Sequence, residues 1–148
     1  MRKITELALT AALLVPGLLT AGEKKLMHCF AFTEIESASD DDWKAFYKAT
    51  DALPRKMPGI VSKVWYGKLG TPLGQFQVDA ESGKKLRAGE KTVTAAANRL
   101  VRKYGACMEI ADESSIKKYA DHPYHKEWLA AYEKVRVAGT TTFDVIGQ

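Results

Sequence analysis

The chain has 148 residues, of which 46% are hydrophobic and 27% charged, with a formal charge of +4. That length holds one domain with a real core rather than two, and the composition excludes a disordered chain, a collagen-like array and a repeat protein. The stretch from Lys84 to Lys103 is locally basic but lacks the interleaved aromatics of a stacking surface, so no nucleic-acid partner is expected.

Met1-Arg2-Lys3 is a basic start, Leu7 to Leu19 is apolar, and Ala21 closes the run with a small residue. This pattern is that of a secretory signal peptide over residues 1–21. The apolar run falls short of the about 18 to 20 residues that a bilayer span needs, and Pro16 interrupts it, so no stable membrane insertion is expected after cleavage. The mature protein is therefore expected in the periplasm or outside the cell. In an oxidising compartment its two cysteines, Cys29 and Cys107, form a disulfide if strand register sets them opposite each other, and stay free thiols otherwise.

Leu26 to Phe32 (LMHCFAF) reads as a strand, with His28, Phe30 and Phe32 on one face and Met27, Cys29 and Ala31 on the other. Ser39 or Asp40 then caps an amphipathic helix that carries Trp43, Phe46, Tyr47, Thr50 and Leu53 at helical spacing and ends at Pro54. Met57-Pro58-Gly59 turns into a second strand, Ile60 to Tyr66. The glycines and proline from Gly67 onward mark a long loop, an inserted segment over about 68–103, in which Thr92 to Lys103 has the spacing of a short helix. Tyr104 to Ala111 is the third strand. Asp112 or Ser114 caps a short helix through Ala120, Tyr124 to Val137 is a further helix, and Thr141 to Ile146 is the last strand.

Strand, helix, strand, loop, strand, helix, strand is the βαββαβ plan of an α+β, ferredoxin-like fold: an antiparallel sheet with its helices on one face. The other face would carry Met27, Cys29 and Ala31, which are not solvent-facing residue types, so a second copy of the chain is the expected partner.

The chain has three histidines, and two of them stand in Tyr119-Ala120-Asp121-His122-Pro123-Tyr124-His125. Pro123 suits the first position of a helix, which makes His122 its N-cap and puts His125 in the first turn. Positive potential at a helix N-terminus disfavours an imidazolium and keeps His125 neutral, as a base or a ligand must be. Tyr119 reaches the same region, and His28 joins it if the first strand turns its aromatic face to the helices. These residues have three readings. They are a capped and hydrogen-bonded helix junction, a small-molecule site for binding or acid–base chemistry, or a metal site; the last is disfavoured because no carboxylate accompanies the imidazoles and they lack i, i+4 spacing.

His28 on the first strand, the LPRKMPGI turn, WYGK on the second strand and the Y-x-x-H-P-x-H run of Tyr119, His122, Pro123 and His125 resemble the stress-responsive A/B barrel (Dabb) family, over about Leu26 to Ile146. The resemblance implies a homodimeric α+β barrel of residues 26–148, with a pocket in each subunit between sheet and helices. Most members have no assigned activity, and one plant member is a polyketide cyclase. Carried over, His125 is the base, Tyr119 its polar partner and His28 a third catalytic group. Phe30, Phe46, Tyr47, Tyr104, Ala106, Met108, His122 and Trp128 then line a pocket for a small apolar or aromatic ligand. No cofactor and no metal are implied. The chain departs from the family pattern in the long 67–104 segment. Three functions follow: a ligand-binding barrel, a cyclase or isomerase acting on an enolisable substrate, and a dimerisation scaffold.

Overall fold

A computed structural model describes residues 24–147, so the signal-peptide reading of 1–21 lies outside the described residues. Eight elements follow in order: β1 (Leu26–Phe32), α1 (Asp40–Lys56), β2 (Val61–Val78), α2 (Ala80–Arg87), β3 (Ala97–Ile110), α3 (Ser115–Asp121), α4 (Pro123–Tyr132) and β4 (Thr141–Ile146). The four strands form one antiparallel sheet in the order β2-β3-β1-β4. This is the ferredoxin-like α+β plan that the element order implied.

Alternation along the strands sorts residues onto two faces. On the inner face Phe30 and Phe32 pack edge-on or tilted against Phe46, Trp128 and Tyr132 from α1 and α4. Leu53, Met57, Met108, Ile110 and Val135 complete a core with no exposed surface. Removing this much aromatic and aliphatic area from water is the dominant favourable term, at about 25 cal/mol per Å².

Ser39 caps α1 through a capping box with Asp42, and the sequence places the helix start correctly. Its end differs. Pro54 sits inside the helix, which runs on to Lys56 because the Met57 amide still closes a turn on the Leu53 carbonyl at 2.9 Å. The expected continuation of α4 to Val137 is also corrected: the chain leaves the helix after Tyr132 so that the backbones of Val135 and Val137 can pair with Ile35 and Thr33 beyond β1.

The largest correction concerns 68–103. Rather than a loop, β2 and β3 continue as a two-stranded arm in which Leu73 to Val78 pair with Arg102 to Ala97, and α2 follows at its tip. Thr92 to Lys103 forms no helix, because the ladder with β2 supplies Ala97 to Arg102 with partners that local propensity could not anticipate. Between the arm and the sheet β2 bulges at Leu69 to Pro72, where the register jumps from Lys68/Tyr104 to Leu73/Arg102. The bulge drops Leu69 onto Gly105: a Cβ there would lie 2.8 Å from Leu69 Cδ2 and 3.1 Å from the Phe30 carbonyl oxygen, so a side chain at 105 would have to displace Leu69 and press on the β1 backbone.

Cys29 and Cys107 are directly opposed in the β1/β3 register, with Cα atoms 4.1 Å apart, and they form a disulfide. Both lie on the outer face, in one row with Trp65 of β2 and Phe143 of β4.

Candidate active site

His28 faces the helices from β1, and register puts Asp144 of β4 beside it on the same face. Their side chains meet, His28 Nδ1 lying 2.6 Å from Asp144 Oδ1. Nδ1–H donates to the carboxylate, which leaves Nε2 turned away from it. Above this pair lies the junction of α3 and α4. Tyr119 near the end of α3 sits with its ring 5.7 Å from that of His28 and 4.6 Å from that of His125.

The junction is built by the capping chemistry in the sequence. His122 takes the extended conformation, accepts the Tyr124 amide at 3.1 Å through Nδ1 and lets Pro123 open α4. His125 is thereby set in the first turn, where its Nδ1 donates to the Ala120 carbonyl at 3.1 Å and its ring stacks on Trp128. That hydrogen bond fixes the tautomer and leaves Nε2 with its lone pair.

Burial pushes the His125 imidazolium down from its ordinary value, the Ala120 hydrogen bond opposes this, and a charge on His28 adds to it. His125 is therefore a neutral base at neutral pH, chiefly through burial. Tyr119 is 4% exposed, and burial raises its phenol strongly, so it stays a proton donor. No hydrogen bond engages its hydroxyl among the described residues. The cluster thus holds two imidazoles with free Nε2 atoms, a protonated phenol between them and a carboxylate behind one of them. Asp144 is 42% exposed at its side chain, so the group opens to solvent at the β1–β4 edge.

Of the residues that the family resemblance assigns to a site, the structure gathers His28, Tyr119, His125 and Trp128. Phe30, Phe46, Ala106 and Met108 are buried core side chains. Tyr47 and Tyr104 lie toward the other end of β1, the first stacked on Tyr66 and the second against Phe32 and Trp43. His122 is committed to its cap. A groove of about 470 Å³ lies on the opposite face of the sheet, over the disulfide, between Trp65, Leu69, Leu73 and Phe143. Asp144 went unassigned from sequence; its signal was a lone acid in the apolar TTFDVI strand, readable only once the β1/β4 register is known. Among the described residues no three His, Cys, Asp or Glu side chains are grouped to hold a metal ion, and no helix is long and apolar enough to cross a membrane.

No protein-family model matches the sequence, and no curated protein matches it. Solved structures do match in fold. A dimeric ferredoxin-like protein of unknown function from Thermobifida fusca superposes with a TM-score of 0.53 at 16% identity, over 84% of this chain and 92% of its own. A Dabb family protein with a ferredoxin-like fold from Mesorhizobium loti gives 0.53 at 14%, over 85% and 99%. The hydroxynitrile lyase of Passiflora edulis gives 0.56 at 8%, over 86% and 95%. The chain therefore has the ferredoxin-like α+β fold, and a Dabb family protein is among the structures that share it.

Proposed function

We propose that this chain is an exported, homodimeric barrel of the Dabb type that binds a small carbonyl or phenolic compound beside His28, Tyr119 and His125 and moves protons on it. The observation that carries this reading is the convergence of a buried phenol and two imidazoles, one backed by Asp144 and the other by the Ala120 carbonyl, at an edge open to solvent. A neutral imidazole at His125 removes a proton beside a carbonyl, and the Tyr119 hydroxyl donates to the oxygen on which charge develops. His28, held by Asp144, returns or relays the proton. Because the interior is filled by Phe30, Phe46, Met108 and Trp128, the compound sits at the lip of the sheet rather than within the core. The lyase of Passiflora edulis supports the choice of an enzyme class, since it performs a lyase reaction on the same fold.

Proton transfer can be tested before the substrate is known. The protein is incubated in deuterated water with a panel of ketones, phenolic ketones and polyketide-like compounds, and exchange at the carbon next to the carbonyl is followed by NMR. We expect at least one compound to exchange faster with the parent protein, His125→Ala to lose the gain by about 100-fold or more, and Asp144→Asn to lose part of it with the melting temperature held. No exchange above buffer, together with no thermal shift by any compound, would remove the enzymatic reading.

Export rests on the basic start and short apolar run of residues 1–21 and is supported by the disulfide, which persists in an oxidising compartment. The secreted protein should begin near Gly22 by intact mass; a cytoplasmic product starting at Met1 would overturn it.

A further inference from the structure

Far from His28, the end of β1, the base of the β2–β3 arm and the loop before β4 meet in a polar corner. Arg102 of β3 stands there with 4% of its surface exposed. Its guanidinium reaches two hydroxyls, Nη1 donating to Thr33 Oγ1 at 3.2 Å and Nε to Thr141 Oγ1 at 3.4 Å. Both hydroxyl protons are directed elsewhere, that of Thr33 to the Val101 carbonyl and that of Thr141 to Gln75 Oε1. Each oxygen therefore turns a lone pair to the arginine, an arrangement that orients a cation without neutralising it.

No carboxylate does so among the described residues. Glu34, the acid of this corner, bonds Lys103 through Oε1 at 2.7 Å and keeps a buried Oε2 without a hydrogen bond; burial pushes its carboxyl up, and the Lys103 hydrogen bond with the charges of Lys103 and Lys68 holds it down. Arg136 pairs with Glu133 through Nη2, while its buried Nε has no hydrogen bond. Nη2 of Arg102 carries no hydrogen bond to the described residues and keeps some exposure to solvent, and it lies toward Gly139, where a Cβ would stand only 3.7 Å away. Gly139 has φ +89°, a conformation that glycine adopts freely, so the absence of a side chain beside Nη2 belongs to the turn itself. A buried guanidinium without a counter-charge is costly, and a buried charge in a folded protein is ordinarily paired.

We propose that Arg102 anchors a site for a small oxyanion, a carboxylate or a phosphate, which takes its free Nη2 beside Gly139 and supplies the missing charge. The anion is small because Arg102 is almost enclosed. The site is independent of the His28–Tyr119–His125 group.

Melting of the full mature chain is followed in chloride, acetate and phosphate at one ionic strength and pH, with Arg102→Met and Arg102→Lys alongside. In the parent, acetate or phosphate should raise the melting temperature saturably above chloride, as a ligand of the folded state does. The anion that saturates at the lower concentration identifies the source. Arg102→Met should lose the shift and, freed of an uncompensated charge, melt in chloride no lower than the parent; Arg102→Lys should keep a weaker shift. An equal shift in parent and Arg102→Met, or none in the parent, overturns the proposal. So does destabilisation of Arg102→Met by the same amount in every salt, which would mark the arginine as a tie between threonines. If Arg102→Met fails to fold, the Arg102 side-chain NH resonances of the parent decide: they should move saturably with the oxyanion, and their constancy overturns the site.

Discussion

At the scale of single residues, the candidate site is decided by what holds each imidazole. His125 combines a pKa below the ordinary 6.5 with a hydrogen bond to Ala120. With the folded value below the unfolded one, the unfolded chain binds the proton more readily between the two. The contribution of His125 to stability is thus complete above about pH 6.5 and is lost as pH falls through the folded value. His125→Gln, uncharged at every pH, should narrow the acid-induced fall in melting temperature below pH 6.5, and parallel melting curves for parent and variant would refute this. The same depression predicts that proton transfer keeps its rate below the usual imidazole range before falling. His122→Asn is the control for proton transfer, since Asn also caps a helix and should leave the rate profile unchanged. The sequence made the Tyr119, His122 and His125 arrangement legible because caps and helix starts are local. Asp144 was not legible, because its partnership with His28 spans 116 positions and exists only through strand register.

Among the elements, β1 and β4 occupy the residues that periodicity gave them, Leu26–Phe32 and Thr141–Ile146, since short apolar runs bounded by breakers leave little freedom. The β2–β3 arm went unread for the opposite reason. Gly67, Gly70, Pro72 and Gly74 erase alternation from β2 just where it bulges, and Thr92 to Leu100 has the alanine content of a helix, while the strand state arises from pairing with Leu73–Val78. The disulfide belongs to this scale as well, because it pins the two central strands in register across a sequence separation of 78. Replacing Cys29 and Cys107 by alanine should cost about 2 to 4 kcal/mol in urea unfolding while the sheet persists, held by its ladder and its aromatic core. An unchanged midpoint, or free thiols in the denatured, unreduced parent, would contradict that role.

For the whole molecule, the outer face of the sheet is the exposed apolar surface. Trp65 is 49% exposed, Phe143 51% and Val145 54%, and they stand on one face with the disulfide and the groove walled by Leu69 and Leu73. The helices cover the other face, so this surface meets either water or a second copy, and burial of it between two copies removes several aromatic side chains from water at about 25 cal/mol per Å². A twofold axis lying between the facing sheets and parallel to the strands would set the Trp65 end of one row against the Phe143 end of the other, so both aromatics close the same interface twice. Light scattering of the mature chain should therefore give twice its mass at micromolar concentration. Trp65→Glu combined with Phe143→Asp places like charges on the facing surfaces and should yield a monomer with the circular dichroism of the parent, since neither side chain belongs to the core. If proton exchange also falls in that monomer, the His28 edge depends on the partner for its shape; if exchange persists, each subunit carries a complete site. A parent protein that scatters as a monomer would leave the apolar face without an occupant and overturn the barrel.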